Sequence, residues 1–186
     1  MTFSDGRTYR VDCKEGMQHL GDASIDCLIT DPPFNLGGGP MFHGGTLARR
    51  TDMDWDHVDN GPWLREALRI CKPTGSLLVF GTHHNLFEVG WLLKRAGARV
   101  INTIALVKQN GFAVSHRLLY ERTTYVLWVS PSGEGWCFDY ERMKRDNGGR
   151  QLDNVWHYAP VAVRSHPTQK PLGLLERLVL MATRKG

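Results

Sequence analysis

The residues best suited to chemistry lie in the stretch Leu28–Asn35 (LITDPPFN). An apolar run delivers Asp31 to its end, Pro32 and Pro33 stiffen the chain, and Phe34 follows as an exposed ring. Proline cannot donate a ladder hydrogen bond, so a central strand must stop there, and Asp31 falls at the rim of whatever sheet the strand belongs to. The Asp31 carboxylate and the Pro32 carbonyl then present two acceptors side by side, with Phe34 as a flat stacking surface. Two acceptors beside a ring-sized slot suit an exocyclic amino group on a planar heterocycle. The plainer alternative is a proline-stiffened turn in which Asp31 caps backbone. Asp12 is a second carboxylate at a strand-like end, although it also suits a helix N-cap ahead of Lys14–Leu20.

The elements that must position these residues follow from periodicity. Thr8–Asp12 and Ser24–Thr30 read as strands, with a helical turn over Lys14–Leu20 between them. Gly61–Cys71 has apolar residues at 63, 64, 67, 68 and 71, the spacing of a helix with Pro62 near its start. Gly75 introduces the buried-strand run Ser76–Phe80, His84–Ala96 is helical, and Arg99–Val107 and Thr123–Ser130 return to strand. Pro171–Thr183 is an amphipathic helix. Strands alternating with helices predict an α/β domain with a mostly parallel central sheet, whose ligands bind beyond the carboxyl ends of the strands. One domain over residues 1–186 is expected. Within it, residues 35–60 form a long aperiodic stretch expected to be a mobile substrate loop. Residues 131–165, where periodicity dissolves into glycine, charge and aromatics, form an expected insertion.

Composition excludes other classes. The chain has 186 residues, 41% hydrophobic and 23% charged, long enough to bury a core and too apolar for a disordered chain. No apolar run approaches the roughly 18 residues needed to cross a bilayer, and the charged N-terminus does not suit a signal peptide, so a cytoplasmic location is expected. The 4 cysteines lie far apart without ligand-spaced histidines, so neither a metal site nor a disulfide framework is expected. Asp52, Asp54 and Asp56 alternate but lack the glycine and glutamate of a calcium loop. Charge is uneven: residues 1–60 carry 5 Lys/Arg against 10 Asp/Glu, and residues 61–186 carry 18 against 9. The later part therefore suits a polyanion.

Asp31-Pro32-Pro33-Phe34 resembles the catalytic motif of the amino-methyltransferases that act on DNA bases. Ser165–Pro171 (SHPTQKP), running into PLGLLERLVLMAT, is similar to the cofactor segment of the permuted, β-type group of that family, in which the catalytic motif comes first. VDCKEGM, LREALRICKPTGSLLVFG and NTIALVKQN stand in the family's order between and before these anchors. The resemblance implies a Rossmann-like fold and methyl transfer from S-adenosylmethionine to a base amino group, adenine N6 ahead of cytosine N4. Asp31 and the Pro32 carbonyl would accept the two amino hydrogens of a flipped base, and Phe34 would stack on it. Asp12, Cys13 and Asp31 would lie at the cofactor with His166, Thr168, Gln169 and Lys170. Double-stranded DNA is the implied partner; dimers and a companion restriction endonuclease accompany relatives of this kind.

A glycine-rich cofactor stretch normally follows the last helix in that family, whereas this sequence stops at Gly186, so the C-terminal part of the sheet is expected to be missing. A catalytically inactive DNA-binding remnant is therefore the rival reading. Residues 131–165 stand where the resemblance implies a target-recognition insertion; for DNA contacts, the candidates are Arg142, Lys144, Arg145 and Arg150 in its basic stretch Trp136–Arg150, and Arg49 and Arg50 in the substrate loop.

Overall fold

The computed structural model describes residues 6–35, 40–43, 46–49, 58–112, 116–117, 119–159, 161 and 169–184, with backbone alone at 40–43, 46–49, 110 and 112. Its organising element is the strand β4 (Cys71–Gly81), longer than the predicted Ser76–Phe80. Successive strand side chains point to opposite faces. Leu77 and Val79 accordingly join one core cluster, and Leu78 and Phe80 the other. Both faces of β4 are therefore buried, as its unbroken apolar sequence requires.

Around it stand β1 (Ile25–Thr30), β5 (Arg99–Phe112), β6 (Glu121–Ser130) and β7 (Val155–Tyr158), in the spatial order β1-β4-β6-β5-β7. β1 runs parallel to β4, β6 runs antiparallel to both β4 and β5, and β7 runs parallel to β5. Four strands of this sheet thus share a direction and β6 is reversed, so the sheet is mixed but mostly parallel. The helices α1 (Cys13–Gln18), α2 (Asn60–Ile70) and α3 (Leu86–Arg95) cover the first face. Trp63, Leu64, Ala67, Val89 and Leu93 pack there with Leu77 and Val79. The second face is covered by α4 (Tyr140–Asp146) and α5 (Leu172–Ala182) through Met143, Leu174, Leu178 and Met181. None of the described helices is long and apolar enough to cross a membrane.

Three differences from the sequence reading have physical causes. Thr8–Asp12 is not a strand: its residues are exposed or half-buried, and Asp12 instead caps α1 through Oδ1, which accepts from the Lys14 amide at 2.8 Å. Residues 35–60 contain an antiparallel hairpin, β2 (Pro40–His43) with β3 (Thr46–Arg49). Within residues 131–165, the described part includes α4 and the edge strand β7, two elements that periodicity did not show.

A buried polar bond ties the two central strands together. The Trp128 indole on β6 donates to Ser76 Oγ on β4 at 3.0 Å, and both residues are buried. Ser76→Ala is expected to cost about 1–3 kcal/mol by leaving that indole N–H without a partner. A lowered denaturant midpoint at unchanged m would show it.

Candidate active site

The site grows from the carboxyl rim of β1 and β4. Thr30 pairs with Val79, so Asp31 leaves the sheet level with Phe80 and Gly81. Pro32 is buried and Pro33 and Phe34 half-buried, which fixes the turn that carries the carboxylate outward. At the end of β4 the chain folds back closely. A Cβ on Gly81 would meet Asn85 Oδ1 and Leu86 Cδ2, each at 2.6 Å, so a larger residue there would push aside the side chains that close the turn Thr82–Asn85. That turn places His83 and His84 at the same rim, with His83 Nδ1 3.8 Å from Glu121 Oε2 at the start of β6.

The side chain at the centre of the site comes from the far end of the sequence. Lys170 Nζ lies 2.5 Å from Asp31 Oδ2, 5.8 Å from the Phe34 ring centroid and 5.0 Å from that of Phe80. Lys170 stands just before Pro171, the N-cap of α5, where the positive end of the helix dipole disfavours a cation. It is there because Leu174, Leu178 and Met181 seat α5 on the same face as Phe80 and aim the preceding residue at Asp31. The arrangement is a seat for a positively charged nitrogen, with a carboxylate on one side and two aromatic faces around it.

Asn35 adds a clamp that the sequence reading did not single out. It has φ 52°, a left-handed conformation for which asparagine is suited. Its side-chain amide accepts from the Val58 amide at 2.9 Å and donates to the Val58 carbonyl at 3.0 Å. One side chain thereby joins the two ends of the segment that contains β2 and β3. The remaining signal for Asn35 lay in its place directly after the DPPF turn.

Other predicted residues lie elsewhere. Asp12 and Cys13 begin α1, whose C-terminal end is tied to α2 by Arg69, which donates to the carbonyls of Met17 (2.8 Å) and Leu20 (2.9 Å) and to Asp22 Oδ1 (2.6 Å). Gln169 is exposed beside Lys170. His166, Thr168 and Arg50 lie outside the described residues, and Arg49 is described only as backbone of β3. Arg142 and Lys144 are half-buried on α4 and Arg145 and Arg150 exposed. The aromatics near them face inward: Trp136 and Phe138 pack against the second core cluster, Phe138 with its centroid 5.5 Å from that of Trp128.

Cys13 is exposed, whereas burial pushes the Cys27 thiol up to about 12 and that of Cys71 to about 11. A protonated thiol is a poor nucleophile. Iodoacetamide at pH 8 is therefore expected to label Cys13 in the native protein and to spare Cys27 and Cys71 until the chain unfolds, as peptide mass mapping would show.

Residues 25–186 match the DNA methylase family of N6/N4 methyltransferases. The chain belongs to that family. The methylase is 32% identical over 193 residues to the type II methyltransferase M2.MboI of Moraxella bovis, covering 95% of this chain and 71% of the relative. It is likewise 32% identical over 180 residues to the type II methyltransferase M2.DpnII of Streptococcus pneumoniae, covering 88% and 67%. Among solved structures, the fold resembles M1.HpyAVI in complex with SAM, at a TM-score of 0.64 and 21% identity over 95% of this chain and 76% of the other. It also resembles the cytosine-N4-specific PvuII DNA methyltransferase, at a TM-score of 0.67 and 15% identity over 95% and 70%.

Proposed function

We propose that this methylase transfers a methyl group from S-adenosylmethionine to the exocyclic amino group of a base turned out of double-stranded DNA, with adenine N6 as the acceptor. The observation that carries the reading is the Asp31 seat, which already holds a cationic nitrogen, that of Lys170, against a carboxylate and two rings. A base nitrogen acquires positive charge as it is methylated, and groups arranged around such a charge lower the barrier. The same donor set suits the positively charged methyl donor. When bound, S-adenosylmethionine supplies an electrophilic methyl group on a sulfonium.

Asp12, Cys13 and Gln169, with His166 and Thr168, are the residues assigned to hold the cofactor. Asp31 and the Pro32 carbonyl accept the two amino hydrogens, which turns the nitrogen lone pair out of conjugation with the ring. Phe34 stacks on the base, a contact worth about 1–3 kcal/mol in single-strand recognition. The Asp in the first motif position favours adenine. Digestion of DNA treated with the protein and labelled S-adenosylmethionine, followed by nucleoside mass spectrometry, tests this. N6-methyldeoxyadenosine is expected; N4-methyldeoxycytidine transfers the same mechanism to cytosine, and the absence of both products overturns the reading.

The cations of α4 and the segment after it are assigned to the DNA backbone, together with Arg49 and Arg50. Arg142 Nε lies 3.8 Å from Asp146, and Lys144 lies 5.8 Å from the Tyr140 ring centroid, both loose interactions that phosphate can replace. Neutralising Arg142, Lys144 and Arg145 is expected to weaken DNA binding and to lower the log–log salt slope by about 0.9 for each phosphate the variant no longer neutralises. Unchanged affinity and slope would remove α4 from the interface.

A further inference from the structure

We propose that Lys170 is a built-in occupant of the amine seat: in the base-free protein its ammonium stands where the target amino nitrogen binds, and the base is admitted by displacing it. The inference rests on the methyl-transfer reading above and adds a competition within the site. Three features carry it. Lys170 Nζ meets the same Asp31 carboxylate and the same Phe34 ring to which that reading assigns the base. The Lys170 side chain is 19% exposed against 37% for Asp31, so the ammonium sits inward of a carboxylate that an incoming base can still reach. Its backbone is fixed by α5, whose Leu174 and Leu178 are buried, while its flexible four-carbon stem lets the head group leave without moving the helix.

An ammonium has no lone pair, so this occupant is not itself a methyl acceptor. It keeps Asp31 paired until a base arrives. Its grip is that of a partly exposed ion pair, a class whose contribution is small, so displacement is easy. A binding-competent state populated only in part lowers the apparent affinity by that fraction. Removing the ammonium should therefore raise the population of the open seat about 2- to 5-fold.

The probe is a duplex with 2-aminopurine beside the base that the mass-spectrometric assay shows to be methylated, so that the target keeps its own amino group and its extrusion is read by the fluorescence of the unstacked neighbour, without cofactor. Lys170→Met keeps the apolar stem and loses the charge. It is expected to raise the extruded fraction, and with it the affinity for this duplex, by that factor. Lys170→Arg keeps a cation and is expected to gain nothing. In an Asp31→Asn background, where the lysine has lost its anchor, Lys170→Met is expected to add no further gain. n-Butylammonium, a mimic of the missing side chain, is expected to bind Lys170→Ala and to compete there with the duplex, but not to compete in the unaltered protein. A Lys170→Met protein with unaltered extrusion, or with extrusion, affinity and thermal stability all reduced together, would make Lys170 a structural ion pair and overturn the proposal. Those results leave methyl transfer by the unaltered chain standing. Absence of both transfer and extrusion in the unaltered chain overturns the functional reading and this inference together.

Discussion

Asp31→Ala is expected to lower the methyl-transfer rate by about 10²–10³-fold, the scale seen when one electrostatic partner of a developing charge is deleted. Asp31 is the rim carboxylate of the seat, and its side chain is 37% exposed, so the fold does not depend on it. Thermal stability should stay within the range of ordinary surface changes. DNA affinity should hold within about 2- to 3-fold, because phosphate contacts supply most of it and none of them involves this carboxylate. The loss should appear equally in kcat and kcat/KM, the pattern of an interaction made in the transition state and not in the ground state. Asp31→Asn sharpens the test. It keeps one acceptor oxygen but removes the charge, so a rate close to that of Asp31→Ala assigns the effect to charge, and a rate near the starting level assigns it to hydrogen-bond geometry. Full activity in Asp31→Ala would remove the residue from the reaction.

Much of this site was legible because it is written locally. The apolar run before Asp31, the two prolines and Phe34 specify a strand, its end and what stands there, and the structure has β1 stop at Thr30. The helix α5 was equally legible, since its buried residues Leu174, Leu178 and Met181 recur at helical spacing. What local pattern does not carry is pairing at long range. Lys170 and Asp31 are 139 positions apart; the motif resemblance put both at one ligand, but their direct ion pair is not written in either segment and exists because α5 packs on the sheet face beside β1. Short elements escaped notice for a different reason. β7 has 4 residues and α4 has 7, too few to show a period, and both are held by packing of Trp156 and Met143. The strand expected at Thr8–Asp12 failed because alternation alone does not make a strand. Its side chains find little to bury against, and Asp12 is drawn into capping α1.

Phe80 links the stability of the fold to the chemistry of the seat, so its replacements should separate the two. It is 1% exposed, packs with the second core cluster, and its ring lies under the Lys170 ammonium. Phe80→Ala is expected to cost about 3–5 kcal/mol, the transfer energy of the ring plus the cavity it leaves. For a chain of this size each kcal/mol lowers Tm by about 2–4 °C, so calorimetry should register a large fall. Phe80→Leu retains most of the apolar volume and should cost less than about 1.5 kcal/mol. It nevertheless removes one of the two aromatic faces, and a cation–π interaction of about 0.5–2 kcal/mol corresponds to a loss of about 2- to 30-fold in transfer rate. The expected signature is therefore a split: Phe80→Ala loses stability and rate, whereas Phe80→Leu keeps most of its stability and loses rate. A leucine variant as unstable as the alanine variant would show that ring shape, not burial, holds this face together. A leucine variant with an unaltered rate would show that Phe80 supports the seat by packing alone and that Phe34 supplies its aromatic character.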